Sequence, residues 1–364
     1  MPDKSFNFKS TFAKLAISLV LVLLVNCMVA YSPFIEIWYS RGVYPRVGVM
    51  LRLLLGWVPI SVGDIFYGLL VVGGLVKLFR FLRQLFRRKM TWRLLGMKLV
   101  KLATWCCSLY VVFYLFWGLN YYRKGIADQL HLEKKPYNTQ ELAQLAQALA
   151  LKASSCRKAI TTTQQFAMGR RELFQKSCQA YDSVCKTYPF LQYRHNSVKA
   201  SLFGRMGNYM GYTGYYNPFS GEAQVNMATP PVVLPAVICH EMAHQLGYAT
   251  EDEANFVGYL AASYSQDKVF VYSIYLDLYR YAADELYFRD SVQYFQTSTF
   301  LDTLVRKDIY DIRMFYLPYR TRMQKVINVV YGQYLKANNQ PQGLETYSDV
   351  VSLLVAYERK YGKI

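Results

Sequence analysis

Acidic side chains are scarce in this chain. Only 24 Asp and Glu stand against 42 Lys and Arg in 364 residues, a formal charge of +18, which excludes an acidic, solvating protein. Charged residues of both signs make up just 18% while 53% are hydrophobic, the opposite of the composition that keeps a chain disordered. Histidine is scarcer still, with four in the whole chain. No CxxC pair, internal repeat or low-complexity linker occurs, which excludes a cysteine-built zinc site and a repeat architecture.

The positive charge is concentrated. Residues 1–101 hold fifteen Lys or Arg against three acids, and the long apolar runs lie in the same region. Residues 12–31 are nearly all apolar, with Lys14 the only charge, and are long enough to cross a hydrocarbon core of about 30 Å. No clean small-x-small cleavage site follows, so the run reads as an uncleaved anchor. Further spans are expected at about 64–84 and 102–119, with residues 47–60 as an interfacial or re-entrant segment. Nine cations from Lys77 to Lys101, with no acid among them, lie at or between the facing ends of the second and third spans. The positive-inside rule puts that turn in the cytoplasm together with Lys4 and Lys9, and everything after Leu119 on the other side. Spans flank the basic run, so the lipid bilayer is its expected partner and nucleic acid is not.

Residues 120–364 suffice for one globular domain with its own core. Helices are expected at 138–152 and 163–187, then a strand region at 196–227, then a mainly helical, Tyr-rich tail. In that tail Tyr272, Tyr275 and Tyr279 read as packing residues. A turn-rich loop at 336–343 precedes a last helix from about Ser348. In an oxidising compartment Cys156 could bridge Cys178 or Cys185. The latter two share one predicted helix and are too far apart to bridge each other.

His240-Glu241-Met242-Ala243-His244 uses two of the four histidines in five positions. On a helix, residues i and i+4 stack on one face, so His240 and His244 can present ring nitrogens to one zinc ion. Glu241 lies about 100° round the helix, placed to act as general base for a metal-activated water. Gly247 can end the helix in a left-handed conformation, and Thr250 with Glu253 reads as a capping box for the next one. No histidine follows the motif, and two carboxylates, Glu251 and Glu253, compete as third ligand. The run 211–226 reads as a hairpin, with turn signals at 217–221 and a short strand from Glu222.

HExxH followed by Glu251-x-x-Ala254-Asn255 resembles the gluzincin metallopeptidases, whose third ligand is a Glu on a following helix, with Ala three and Asp or Asn four residues further on. The resemblance implies Zn2+ held by His240, His244 and Glu251, with Glu253 as the alternative third ligand, and Asn255 orienting a ligand histidine. Glu251 comes only seven positions after His244, closer than in most gluzincins and nearer the HExxHxxGxxH spacing of metzincins, where the third His would fall at Thr250. The resemblance also implies that the strand ahead of the motif is a sheet edge on which a peptide lies, with Tyr215, Tyr216, Glu222 and Gln224 as substrate-binding candidates. An oxyanion-stabilising group is expected among Tyr215, Tyr216, Tyr310, Arg313, Tyr319 and Arg320.

Through Tyr215-Tyr-Asn-Pro-Phe-Ser-Gly-Glu-Ala-Gln-Val-Asn226 and His240-Glu-Met-Ala-His-Gln-Leu-Gly247, the chain resembles an uncharacterised family of bacterial inner-membrane proteins, a domain of unknown function. The expected fold is α+β: an N-terminal bundle of about three transmembrane helices over residues 1–119, then a mainly helical zincin-like domain over 120–364 with a small sheet beside the HExxH helix. The expected function is a membrane-tethered zinc endopeptidase cleaving envelope proteins or peptides in the periplasm. The alternative is a non-catalytic scaffold or sensor domain with a structural metal.

Overall fold

The computed structural model describes residues 8–364; Lys4 lies outside them. Among the described residues, three helices are long and apolar enough to cross a membrane: Phe8–Val29, Val62–Phe86 and Trp92–Phe116. The first two match the expected spans to within a few residues. The third starts ten positions before the expected Leu102, where the Thr91 hydroxyl accepts the Leu94 N–H at 3.2 Å and caps it. Its first turns carry Arg93, Lys98 and Lys101, and Lys98 Nζ donates to Gln84 Oε1 at 2.6 Å on the preceding apolar helix. The helix ends where Trp117 turns to φ −159° and a 3-10 turn, Gly118–Tyr122, takes over.

Between the first two apolar helices, a π-helical stretch, Ile35–Val43, runs straight into the helix Tyr44–Leu55. One face of this pair buries Tyr39, Tyr44, Leu51 and Arg52 against the globular body; the other exposes Ile37, Trp38, Met50, Leu53 and Leu54. The later part of this pair overlaps residues 47–60, which the sequence marks as an interfacial or re-entrant segment.

The globular body is mostly helical around a three-stranded sheet. Strands β1 (Val198–Ala200), β2 (Gly214–Asn217) and β3 (Glu222–Val225) lie in the order β1-β3-β2, with β3 parallel to β1 and antiparallel to β2. The expected hairpin is present. Asn217 Oδ1 accepts the N–H groups of Phe219 and Ser220, and Gly221 supplies the φ of +67° that closes the turn. The strand before the motif, however, is central rather than an edge, because β1 arrives from upstream to pair with it.

The helix expected at 138–152 runs Thr139–Lys158 and opens with a reciprocal capping box between Asn138 and Glu141. Its buried face, with Leu142, Leu145 and Leu149, packs on the helix Lys268–Arg289, where Tyr272, Tyr275 and Tyr279 are buried as expected. The expected helix 163–187 is interrupted. A 3-10 turn, Thr163–Phe166, is followed by an α-helix, Arg170–Val184, because Gly169 takes an extended conformation and becomes the N-cap. The last helix is Val350–Tyr361. All seven cysteines are free, so no bridge joins Cys156 to Cys178 or Cys185.

The body and the apolar helices meet through polar groups. The Glu222 carboxylate accepts the N–H groups of Val62 at 3.2 Å and Gly63 at 2.6 Å, two donors that the first turn of the helix Val62–Phe86 leaves unpaired. Gln224 Nε2 donates to Ser61 Oγ, which caps the same turn by accepting from Asp64 N. Asp64 in return accepts the Leu202 N–H and the Tyr215 hydroxyl. A Cβ at Gly63 would lie 2.5 Å from Asn217 Nδ2, so this approach requires glycine. Truncating Glu222 leaves buried donors with no acceptor; Glu222→Ala in the full chain is expected to cost about 1–3 kcal/mol. A thermal midpoint in detergent that matches the parent would show that the contact does not carry this weight.

Candidate metal centre

The motif occupies the helix Leu234–Gln245, entered through a 3-10 turn at Pro231–Val233 and stopped by Gly247 at φ +90°. Pro235 sits in its first turn, where no intrahelical N–H is lost. The carbonyls at its far end are met from the N-terminal part of the chain. Tyr44 Oη lies 3.3 Å from His244 O and 3.0 Å from Gln245 O; Arg52 Nη1 donates to Gln245 O, Trp117 Nε1 to His244 O, and Arg123 Nη1 to Gly247 O. The Gln245 side chain pins the helix to the sheet by donating to Gly221 O and accepting from the Tyr193 hydroxyl.

Both imidazoles are oriented by their Nδ1 atoms. His240 Nδ1 lies 2.7 Å from Asn255 Oδ1, and His244 Nδ1 lies 2.7 Å from Tyr248 O. With the Nδ1 protons given to these oxygens, each Nε2 carries a lone pair. The two Nε2 atoms converge on Glu251 Oε2, at 3.2 and 3.6 Å. Glu251 begins the next helix, Glu251–Ser263. Its Oε1 accepts from the Tyr331 hydroxyl at 2.7 Å and its N–H donates to Gln340 Oε1, whereas Oε2 is buried without a hydrogen bond. Three acceptor atoms thus face one another, all within 4.8 Å, an arrangement that a proton or a cation stabilises. Two imidazole nitrogens and one carboxylate oxygen form a donor set suited to zinc.

The electrostatics follow from this geometry. Burial opposes a charge on His240, yet Glu251 and Glu241 lift it to about 9. Burial also acts against the Glu251 carboxylate, but the two imidazoles hold it well below the usual range. Glu241, 4% exposed, is pushed up to about 7 by burial, and its Oε2 has no hydrogen-bond partner. Strand β2 passes directly over it: a Cβ on Gly214 would fall 2.6 Å from Glu241 Oε1. Only a glycine lets backbone come that close.

The structure thus brings together His240, Glu241, His244, Glu251 and Asn255. Glu253 points elsewhere. Its Oε1 accepts the Ile126 N–H at 2.8 Å, and Thr250 makes no side-chain cap, so the expected capping box is absent and Glu253 lies outside the cluster of His240, His244 and Glu251. The substrate-binding candidates are also otherwise engaged. Glu222 and Gln224 are fully buried against Ser61–Gly63, and Tyr215 is bonded to Asp64. Tyr216 is buried between Tyr44 and Trp117. Of the oxyanion candidates, Tyr319 packs edge-on against Tyr209, while Tyr310, Arg313 and Arg320 are exposed and bond to none of the cluster. The hydroxyls actually beside the cluster, Tyr331 on Glu251 and Tyr281 beside Asn255, carry no motif that marks them in the sequence.

The spacing between ligands is set by how closely two helices pack. Gly258, on the Glu251 helix, would place a Cβ 3.2 Å from His240 N and 3.4 Å from Cys239 C, both backbone atoms that cannot give way. Gly258→Val is therefore expected to force the helices apart and to cost about 1–3 kcal/mol, read as a lowered midpoint in thermal unfolding. An unchanged midpoint would mean that the crossing is not tight.

No curated protein and no solved structure matches this chain. A family model described as "Protein of unknown function (DUF3810)" matches residues 39–355, taking in most of the amphipathic segment, the second and third apolar helices and the whole HExxH cluster, and the chain belongs to that family.

Proposed function

We propose that this protein is a membrane-tethered, zinc-dependent endopeptidase with a gluzincin-like centre, acting on peptides or proteins of the bacterial envelope. The observation that carries the reading is the convergence of His240 Nε2, His244 Nε2 and Glu251 Oε2 beside a buried, unpaired Glu241 carboxylate. His240, His244 and Glu251 would hold the ion, with Asn255 and the Tyr248 carbonyl fixing the imidazole planes and Tyr331 steadying Glu251. Zinc, when bound, supplies Lewis acidity and brings the pKa of a bound water to about 7. Glu241 Oε2 is the proton acceptor. Because this carboxyl is pushed up to about 7, it can both take a proton and return it to a leaving amine. The unpaired edge of β2 beside Gly214 is the element that supports an extended peptide backbone lying next to Glu241.

The positive-inside reading supports the tether's orientation. The three apolar helices present their Val29, Val62 and Phe116 ends to the body, and the basic turn 87–91 lies at the opposite ends. With that turn in the cytoplasm, the body faces the periplasm of a bacterial inner membrane.

Burial of the cluster favours a second reading, a scaffold or sensor domain with a structural metal. The side chains of His244 and Glu251 are only 8% and 6% exposed, and a structural site is a closed one. One pair of experiments on the full chain in detergent separates the two. Zinc content by elemental analysis is expected at one per chain in the parent and in Glu253→Ala, and lost in Glu251→Ala. With a mixture of fluorogenic peptides, Glu241→Gln is expected to keep the zinc and lose hydrolysis by about 10²–10⁴-fold. Zinc retained with no hydrolysis in the parent would select the structural reading, and a folded parent without zinc would sink both.

A further inference from the structure

A cavity of about 650 Å³ opens behind the C-terminal end of the motif helix, between the helix Tyr44–Leu55 and the loop after Phe190. Its wall holds four arginines, Arg41, Arg52, Arg123 and Arg194, against a single acid, Asp128. Glu36, outside the wall, takes Arg41 Nε at 2.6 Å and stands 3.8 Å from Arg123 Nε. Asp128 faces Lys124 at 3.7 Å. Glu253 lies close enough to act on Arg123 as well, so Glu36 and Glu253 serve Arg41 and Arg123, while Arg52 and Arg194 keep their charges without a carboxylate partner among the described residues.

Arg52 makes the case sharpest. It is 5% exposed, it has no carboxylate partner among the described residues, and its Nε is buried without a hydrogen bond. Its Nη1 reaches Gln245 O and its plane lies 5.1 Å from the Tyr193 ring. Capping a helix carbonyl explains one of its five N–H groups and leaves its charge unmatched. Arg123 Nε is likewise buried and makes no hydrogen bond. A buried guanidinium without an anion is costly, and its planar fork suits the oxygens of a phosphoryl group.

We propose that this cavity is a binding site for a phosphoryl group. The surroundings favour a phospholipid headgroup as its source. The helix that carries Arg52 turns Met50, Leu53 and Leu54 outward, with Trp57 just beyond, 78% exposed. It also joins two apolar helices at their body-side ends, where a membrane-spanning bundle meets the headgroup layer and exposed Trp settles. The site is independent of the peptidase reading, although Tyr248, whose carbonyl orients His244, forms part of its wall.

The test uses the full chain and two arginines that cap no helix: Arg41, whose side chain is 59% exposed, and Arg194, which reaches only Gln192. Native mass spectrometry from micelles doped with phosphatidylglycerol is expected to show one phospholipid held per chain. A phosphate-free galactolipid should not be retained. Arg194→Gln and the double variant with Arg41→Gln should weaken retention by about 10–100-fold, about 1.4–2.8 kcal/mol. If inorganic phosphate alone raises the thermal midpoint and displaces the lipid, the phosphoryl site stands with a soluble source. Galactolipid held as well as phosphatidylglycerol, retention unchanged in the double variant, or no response to lipid or phosphate would each overturn the proposal.

Discussion

The carbonyl groups at the C-terminal end of the motif helix need donors, and the side chains that supply them come from the anchor side of the chain. Tyr44, Arg52, Trp117 and Arg123 reach His244 O, Gln245 O and Gly247 O from the amphipathic helix and from the exit of the third apolar helix. A helix end buried without partners is unstable, so the position of His244 depends on residues that a linear division of the chain would assign to a membrane anchor. Glu222 makes the reciprocal contact, since a body carboxylate completes the first turn of an apolar helix. Anchor and body are therefore one packed unit, and a boundary at residue 119 cuts through its polar seam.

The His240–His244–Glu251 cluster gains its rigidity from this seating. Fixing His244 by its last-turn carbonyl and its Nδ1 leaves little freedom at Nε2, and the Gly258 crossing fixes His240 against the helix that begins at Glu251. Asn255 sits one turn after Glu251 on the same helix and bonds His240. A single helix thus carries both the carboxylate that faces the two ring nitrogens and the group that aims one of them. That coupling favours a preformed cluster, because no loop has to close to bring the three acceptor atoms together.

Sequence patterns gave the local parts of this arrangement and missed the long-range ones. His240, Glu241 and His244 were legible because a helix places i and i+4 on one face; Gly247 and Gly221 were legible because turn geometry is local. The resemblance ranks Glu251 ahead of Glu253, but the contact that takes Glu253 away, its capture by Ile126 N more than a hundred positions upstream, leaves no trace in the local pattern. Polar residues on β3 looked like a substrate shelf because their partners, Ser61 to Gly63, lie in what reads as a membrane segment. The third apolar helix begins ten positions before the apolar run at Leu102, because Thr91 caps a turn that carries Arg93, Lys98 and Lys101 into the helix. In each case the deciding contact joins residues whose separation in sequence leaves no periodic trace.

That separation has a consequence for how the molecule is made. Tyr44 and its acceptor Gln245 are 201 residues apart, and at about 5–20 residues per second of synthesis the interval between them is about 10–40 s. Throughout that time the apolar helices and the amphipathic segment exist without the body that completes them, so Arg52 and the first turn of the second apolar helix must be served by water or lipid headgroups. The ribosome thus delivers a membrane platform first, and the HExxH helix is the late component that docks onto it.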